Sequence, residues 1–285
     1  MKRTALLLTC LLISSLAIAD QNNKKKADTK SWKPTAFVLE ADQLPAGYAG
    51  LDAKKFFKLF KSKVAEFQKK DFETSEEFNQ RVANTDAILS PIKEADLYAF
   101  SGGCYSGRDT YDADTQSFQF YGPIFQPSSL TSPDWFTHVL AETINKSSYI
   151  GNNAYGVSLK VERRTGASIS IAIPNTSPLF NTVLSSDTGG RYYEYHDTIT
   201  MPTEKVRMLK SIRAYGAGIY SRGLCSLLVG KVSHTQIVNG AGEFKAPTIN
   251  SPEEDRITEE AIPFEIKKVI YYVLKTGEIF GQRDF

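Results

Sequence analysis

Histidine, cysteine and methionine number three each in these 285 residues, and tryptophan only two. The histidines, His138, His196 and His234, lie far apart, and none sits in a His-Glu-x-x-His pattern. No two cysteines stand at zinc-finger spacing, so no metal site is expected. The phosphate-binding pattern Gly-x-x-x-x-Gly-Lys-Ser/Thr is missing, and Gly216-Ala217-Gly218 does not complete a dinucleotide fingerprint, so no cofactor is expected either. Ser106 lies in Gly-Cys-Tyr-Ser-Gly rather than Gly-x-Ser-x-Gly. His196-Asp197 is the one His–acid neighbour pair, but adjacent strand residues point to opposite faces. No residue is therefore assigned a catalytic role.

Long apolar runs are also absent, with one exception. The chain opens with Lys2 and Arg3, continues through apolar Ala5–Ile18, and reaches a small-residue site at Ala17-Ile18-Ala19. This is the pattern of a secretory signal peptide cleaved after Ala19, and it predicts a periplasmic or secreted protein with no transmembrane segment once cleaved. Thr9 before Cys10 does not fit a lipoprotein signal. Losing Lys2 and Arg3 brings the 34 basic residues level with the 32 acidic ones, for a net charge of zero. A neutral chain disfavours nucleic acid as the main partner.

Two cysteines, Cys104 and Cys225, remain after cleavage. In an oxidising compartment they are expected to form one disulfide, closing a loop of about 120 residues.

Asp52–Ala83 carries the clearest local signals. Phe56, Phe57, Phe60, Val64 and Phe67 recur at helical spacing behind an Asp52 N-cap, with lysines 54, 55, 58, 61, 63, 69 and 70 around them. Thr74 and Glu77 form a capping box for a second helix with Phe78 and Val82 inward, and Phe72 placed to pack on Phe78. The short link at Asp71–Glu73 predicts an antiparallel pair. The apolar stripe is expected to be buried and the lysines wet.

Beyond Asp96 the period becomes two. Strands are expected at Leu97–Phe100, Thr110–Tyr111, Ser117–Tyr121, Trp135–Ile144, Val157–Val161, Ser168–Ile173, Arg191–Thr200, Ile212–Tyr220, Leu224–Val232, Ile266–Leu274 and Ile279–Phe280. Arg164-Thr165-Gly166 reads as a hairpin turn, and Pro247–Ile262 as an acidic loop. The fold class is α+β: an N-terminal helical hairpin on a largely antiparallel sheet or sandwich of about eight strands. The divisions are a signal peptide at 1–19, a leader at 20–47, the helical hairpin at 48–95, and a β domain at 96–285 with one short helix near 202–210.

Three segments, KDFETSEEFNQR at 70–81, NNAYG at 152–156 and LKTGEIFG at 274–281, resemble a recurring class of exported bacterial proteins whose function is uncharacterised. The resemblance implies export and an α+β build, and carries over no catalytic residue. The candidate ligand-binding residues are Tyr192, Glu194 and His196, which share one face of the Tyr-rich strand and suit a glycan or peptide. The leading expectation is a non-catalytic binding or assembly module of the bacterial envelope, with an envelope protein or glycan as partner. Two alternatives stand beside it. One is a periplasmic hydrolase using a His–acid pair. The other is electrostatic attachment to anionic membrane or glycan through the Lys-rich helix.

Overall fold

The computed structural model describes residues 32–39, 43–104, 110–128, 134–152, 156–181, 183–186, 192–213 and 223–285. The signal-peptide segment, Ser106 and Gly216–Gly218 lie outside the described residues, as does most of the leader. The helices are α1 (Ala53–Val64), α2 (Ser75–Val82), α3 (Thr85–Leu89) and α4 (Thr203–Arg213). The first group of strands is β1 (Tyr98–Cys104), β2 (Thr110–Asp112), β3 (Ser117–Pro127), β4 (Trp135–Asn152), β5 (Ser158–Pro174) and β6 (Val183–Ser186). The second is β7 (Tyr193–Thr200), β8 (Leu224–Val232), β9 (Val238–Asn239), β10 (Glu243–Lys245), β11 (Glu253–Val273) and β12 (Ile279–Asp284). All twelve strands join one sheet, with a main order of β1-β8-β11-β5-β4-β3-β7-β6.

β11 is its spine. Along one side, β8, β9 and β10 follow it antiparallel, from Leu224 opposite Val273 to Lys245 opposite Asp255. Along the other side its first half pairs with β5 and its second half with β12. The β5 pairing is parallel, which makes the sheet mixed.

This overturns the expected fold class. The described residues are mostly strand, in one large mixed sheet with four short α-helices among them, and not a helical hairpin on an eight-strand sandwich. The reason lies partly in the second helix. α2 has its Thr74–Glu77 capping box but buries no side chain, so it adds no second helical layer. Phe72 is fully exposed at φ 66°, and Phe78 lies against the Arg81 guanidinium instead. Of the two expected helices, α1 packs on the sheet. Phe56 meets Tyr98 and Phe100 of β1 edge-on at 5.1 and 5.2 Å, and Phe100 meets Phe264 of β11. Phe56, Phe57, Phe60 and Val64 are buried, each worth about 1.5–3 kcal/mol, while Phe67 is half-buried.

Two further expectations fail. Ser158–Pro174 is a single strand, not two joined by a turn at 164–166. Gly166 is there because β4 passes so close that a Cβ would run into the Thr143 carbonyl. Glu253–Ile262 is the first half of β11 and not a loop. Its acids are held by bases on the neighbouring strands: Arg163 on Glu254, Arg164 on Asp255 and Lys245 on Glu253. Of the strand expected at Ile212–Tyr220, Ile212 and Arg213 belong to α4, and 214–220 lie outside the described residues.

Candidate functional site

β7 sorts its side chains by alternation. Tyr195, Asp197 and Ile199 are buried, while Glu194 and His196 are half-buried on the other face and Thr198 is exposed there.

The buried side holds a polar network. Asp197 Oδ2 accepts from Tyr271 Oη at 2.6 Å and from Arg283 Nε at 3.1 Å. Asp197 Oδ1 accepts from the Thr198 amide at 2.8 Å and pairs closely with Arg283 Nη2. Tyr195 Oη lies 3.0 Å from Tyr271 Oη and 3.3 Å from Asp197 Oδ2. A carboxylate this deep is tolerated because a cation and several donors surround it. Burial pushes the Tyr195 and Tyr271 phenols far above their ordinary range. The Asp197 carboxylate likewise raises Arg283, so the guanidinium stays charged. The network ties β7 to β11 and β12.

A pocket of about 470 Å³ lies against β3 and β7, with the buried Phe120 and Asp197 also on its wall. Its lining includes Gln119 and Tyr121 from β3, His196 and Thr198 from β7, Asn181 just before β6, and Arg283 from β12. The β3–β7 register places Tyr121 opposite His196 and Gln119 opposite Thr198. His196 Nε2 lies 3.2 Å from Glu194 Oε2, and its ring meets the Tyr121 ring edge-on at 4.4 Å. Of the three candidate residues, then, the structure brings Glu194 and His196 together. Tyr192 is exposed ahead of β7 and does not line the pocket. Sequence reasoning missed Tyr121, Gln119, Asn181 and Arg283. Only the alternation in Ser117–Tyr121 hinted at the first two, and nothing local marked the others.

The remaining candidates lie elsewhere. His138 is buried on β4, with Nδ1 2.9 Å from the Ile124 carbonyl and Nε2 3.3 Å from that of Ser101. Burial holds its pKa below the ordinary histidine value. His234 is exposed against Trp135. Cys104 and Cys225 face each other across β1 and β8 and are disulfide-bonded. No group of three His, Cys, Asp or Glu side chains able to hold a metal occurs among the described residues. Likewise, among the described residues no helix is long and apolar enough to cross a membrane.

Most lysines of the α1 region have partners. Lys55 pairs with Asp52, Lys61 with Glu260 and Lys63 with Glu66; Lys54 donates to the Glu142 carbonyl and Lys69 to Ser75. These contacts dilute the positive face that electrostatic attachment would need. Comparison with protein-family models, curated proteins and solved structures finds no match.

Proposed function

We propose that this is an exported protein of the bacterial envelope that works as a binding or assembly module. The observation that carries the reading is the β7 pocket. Polar and aromatic side chains from four separate stretches of the chain converge there, two of them, β7 and β12, joined by the buried network. Such convergence of a few polar groups in a concave site is the usual build of a ligand site. The N-terminal apolar run supports export, and the bonded Cys104–Cys225 pair suits an oxidising compartment.

In-cell photo-crosslinking tests this reading, using the full chain with a crosslinker at Asn181. An adduct with an envelope component is expected, and the absence of any adduct overturns the reading. A second reading, a hydrolase, is favoured by one contact: His196 meets the Glu194 carboxylate at 3.2 Å. Among the described residues, however, no hydroxyl or thiol lies within hydrogen-bond distance of His196. Ester or glycoside hydrolysis by the purified chain that His196→Gln abolishes would establish the hydrolase in its place.

A further inference from the structure

The β7 pocket has two physical properties that narrow its ligand. The first is charge. Both cationic or potentially cationic groups in its wall carry an acid of their own: Arg283 is bound to Asp197, and His196 lies against Glu194. The wall therefore holds no uncompensated charge with which to capture an ion.

The second property is spare hydrogen-bonding capacity. Arg283 spends Nε and Nη2 on Asp197 and the Thr198 carbonyl, which leaves Nη1. Gln119 uses its Oε1 to accept from Thr110 Oγ1 at 2.8 Å, which leaves its amide N–H groups. His196 uses Nε2, which leaves Nδ1. The Asn181 amide and the Thr198 hydroxyl make no side-chain bond among the described residues. Beside these groups stands the half-buried Tyr121 ring.

We infer that the pocket binds a neutral saccharide. Amides and a guanidinium edge offer the paired donors and acceptors that neighbouring sugar hydroxyls require. The Tyr121 ring offers an apolar face for the C–H side of a pyranose. The volume of about 470 Å³ holds one or two sugar units. A smaller cavity of about 280 Å³ beside the start of α1 has no such convergence. There Asp52 is spent on the helix cap and Lys54 on a backbone carbonyl.

This inference rests on the reading of the chain as a binding module, and it can fail while that reading survives. Saturation-transfer NMR and calorimetry on the full, disulfide-bonded chain are run with neutral oligomers of glucose, galactose and N-acetylglucosamine. Saturable binding to at least one is expected. Tyr121→Ala and Asn181→Ala are each expected to weaken it about tenfold or more, and Lys58→Ala on α1 to leave it unchanged. Asn181 is exposed, so its variant should keep the native melting temperature and separate lost binding from lost fold. No binding by the folded chain, or equal binding by both pocket variants, overturns the assignment. So does a preference for anionic sugars that fades with salt. If crosslinking at Asn181 still captures a partner while every neutral sugar is silent, the saccharide falls and the binding module stands. If both are silent, both fall.

Discussion

A carboxylate, a guanidinium and a phenol meet twice in this molecule. In the centre they are Asp197, Arg283 and Tyr271; where β11 begins beside the β4–β5 hairpin they are Glu254, Arg163 and Tyr149. The local geometry is nearly the same. Tyr271 Oη lies 2.6 Å from its acid and Tyr149 Oη 2.9 Å, and the guanidinium Nε atoms lie at 3.1 and 2.7 Å. The surroundings differ. Asp197 has one cation, and both of its phenols are on fully buried rings. Glu254 has a second cation, Arg256, whose side chain is 66% exposed, and Arg163 also lies over the Tyr149 ring. An identical set of contacts therefore means different things. In the centre, losing Asp197 leaves two buried phenols without their acceptor, and losing Arg283 leaves a buried carboxylate without its cation. Beside the hairpin, Arg256 stays paired with Glu254 when Arg163 is lost.

The sharpest way to break the comparison is Asp197→Ala. It leaves two buried phenols without their acceptor and Arg283, whose side chain is 42% exposed, without its acid, and a loss of about 2–4 kcal/mol in urea unfolding is expected. A loss below about 1 kcal/mol would show that the centre relaxes as easily as the hairpin. Tyr271→Phe is gentler. It keeps the ring packed on Phe120 at 4.3 Å and removes the hydroxyl that donates to Asp197 and meets Tyr195. The expected loss is about 1.5–3 kcal/mol, that of a hydrogen bond to a charged group. On the hairpin, Glu254→Gln keeps shape and burial while removing the charge. A destabilisation several-fold smaller than that of Asp197→Ala is expected in the same assay, and equal losses would erase the distinction between the two sites.

The two sites also differ in how much the sequence disclosed. Local patterns were readable: the α1 stripe of Phe56, Phe60 and Val64, the Asp52 and Thr74 caps, β8 and the Glu194–His196 face all depend on residues within a few positions. The central network was not readable, because Asp197 finds Tyr271 and Arg283 at separations of 74 and 86 residues. On the hairpin, Glu253–Glu260 looked like a loop because five acids in eight positions suggest water. In the sheet they answer Arg163, Arg164 and Lys245 on the adjacent strands. Gly166 looked like a turn because glycine often is one. Here it admits the close approach of β4, a fact about a strand more than twenty positions away. Half of the pocket was hidden for the same reason. Tyr121 reaches His196 only through the β3–β7 register, and Arg283 arrives from the last strand.

The smallest expected effect concerns pH. The Arg163 guanidinium, helped by the Tyr149 phenol and working against desolvation, holds the Glu254 carboxyl below its ordinary value of 4.5. In the unfolded chain those partners disperse and the ordinary value returns. Between the two values the unfolded chain binds the proton and the folded chain does not, so acidification favours unfolding. The contribution of Glu254 is therefore complete above 4.5 and is lost as pH falls through its folded value. The melting-temperature gap between the native chain and Glu254→Gln should hold steady from neutral pH to about 5, then narrow. A gap still unchanged at about pH 3 would mean that the ion pairs on the hairpin add nothing that depends on the charge of Glu254. Hydrogen bonding and packing of the uncharged group would then account for its hold on Arg163 and Tyr149, and the contrast with the centre would not rest on the charge of Glu254.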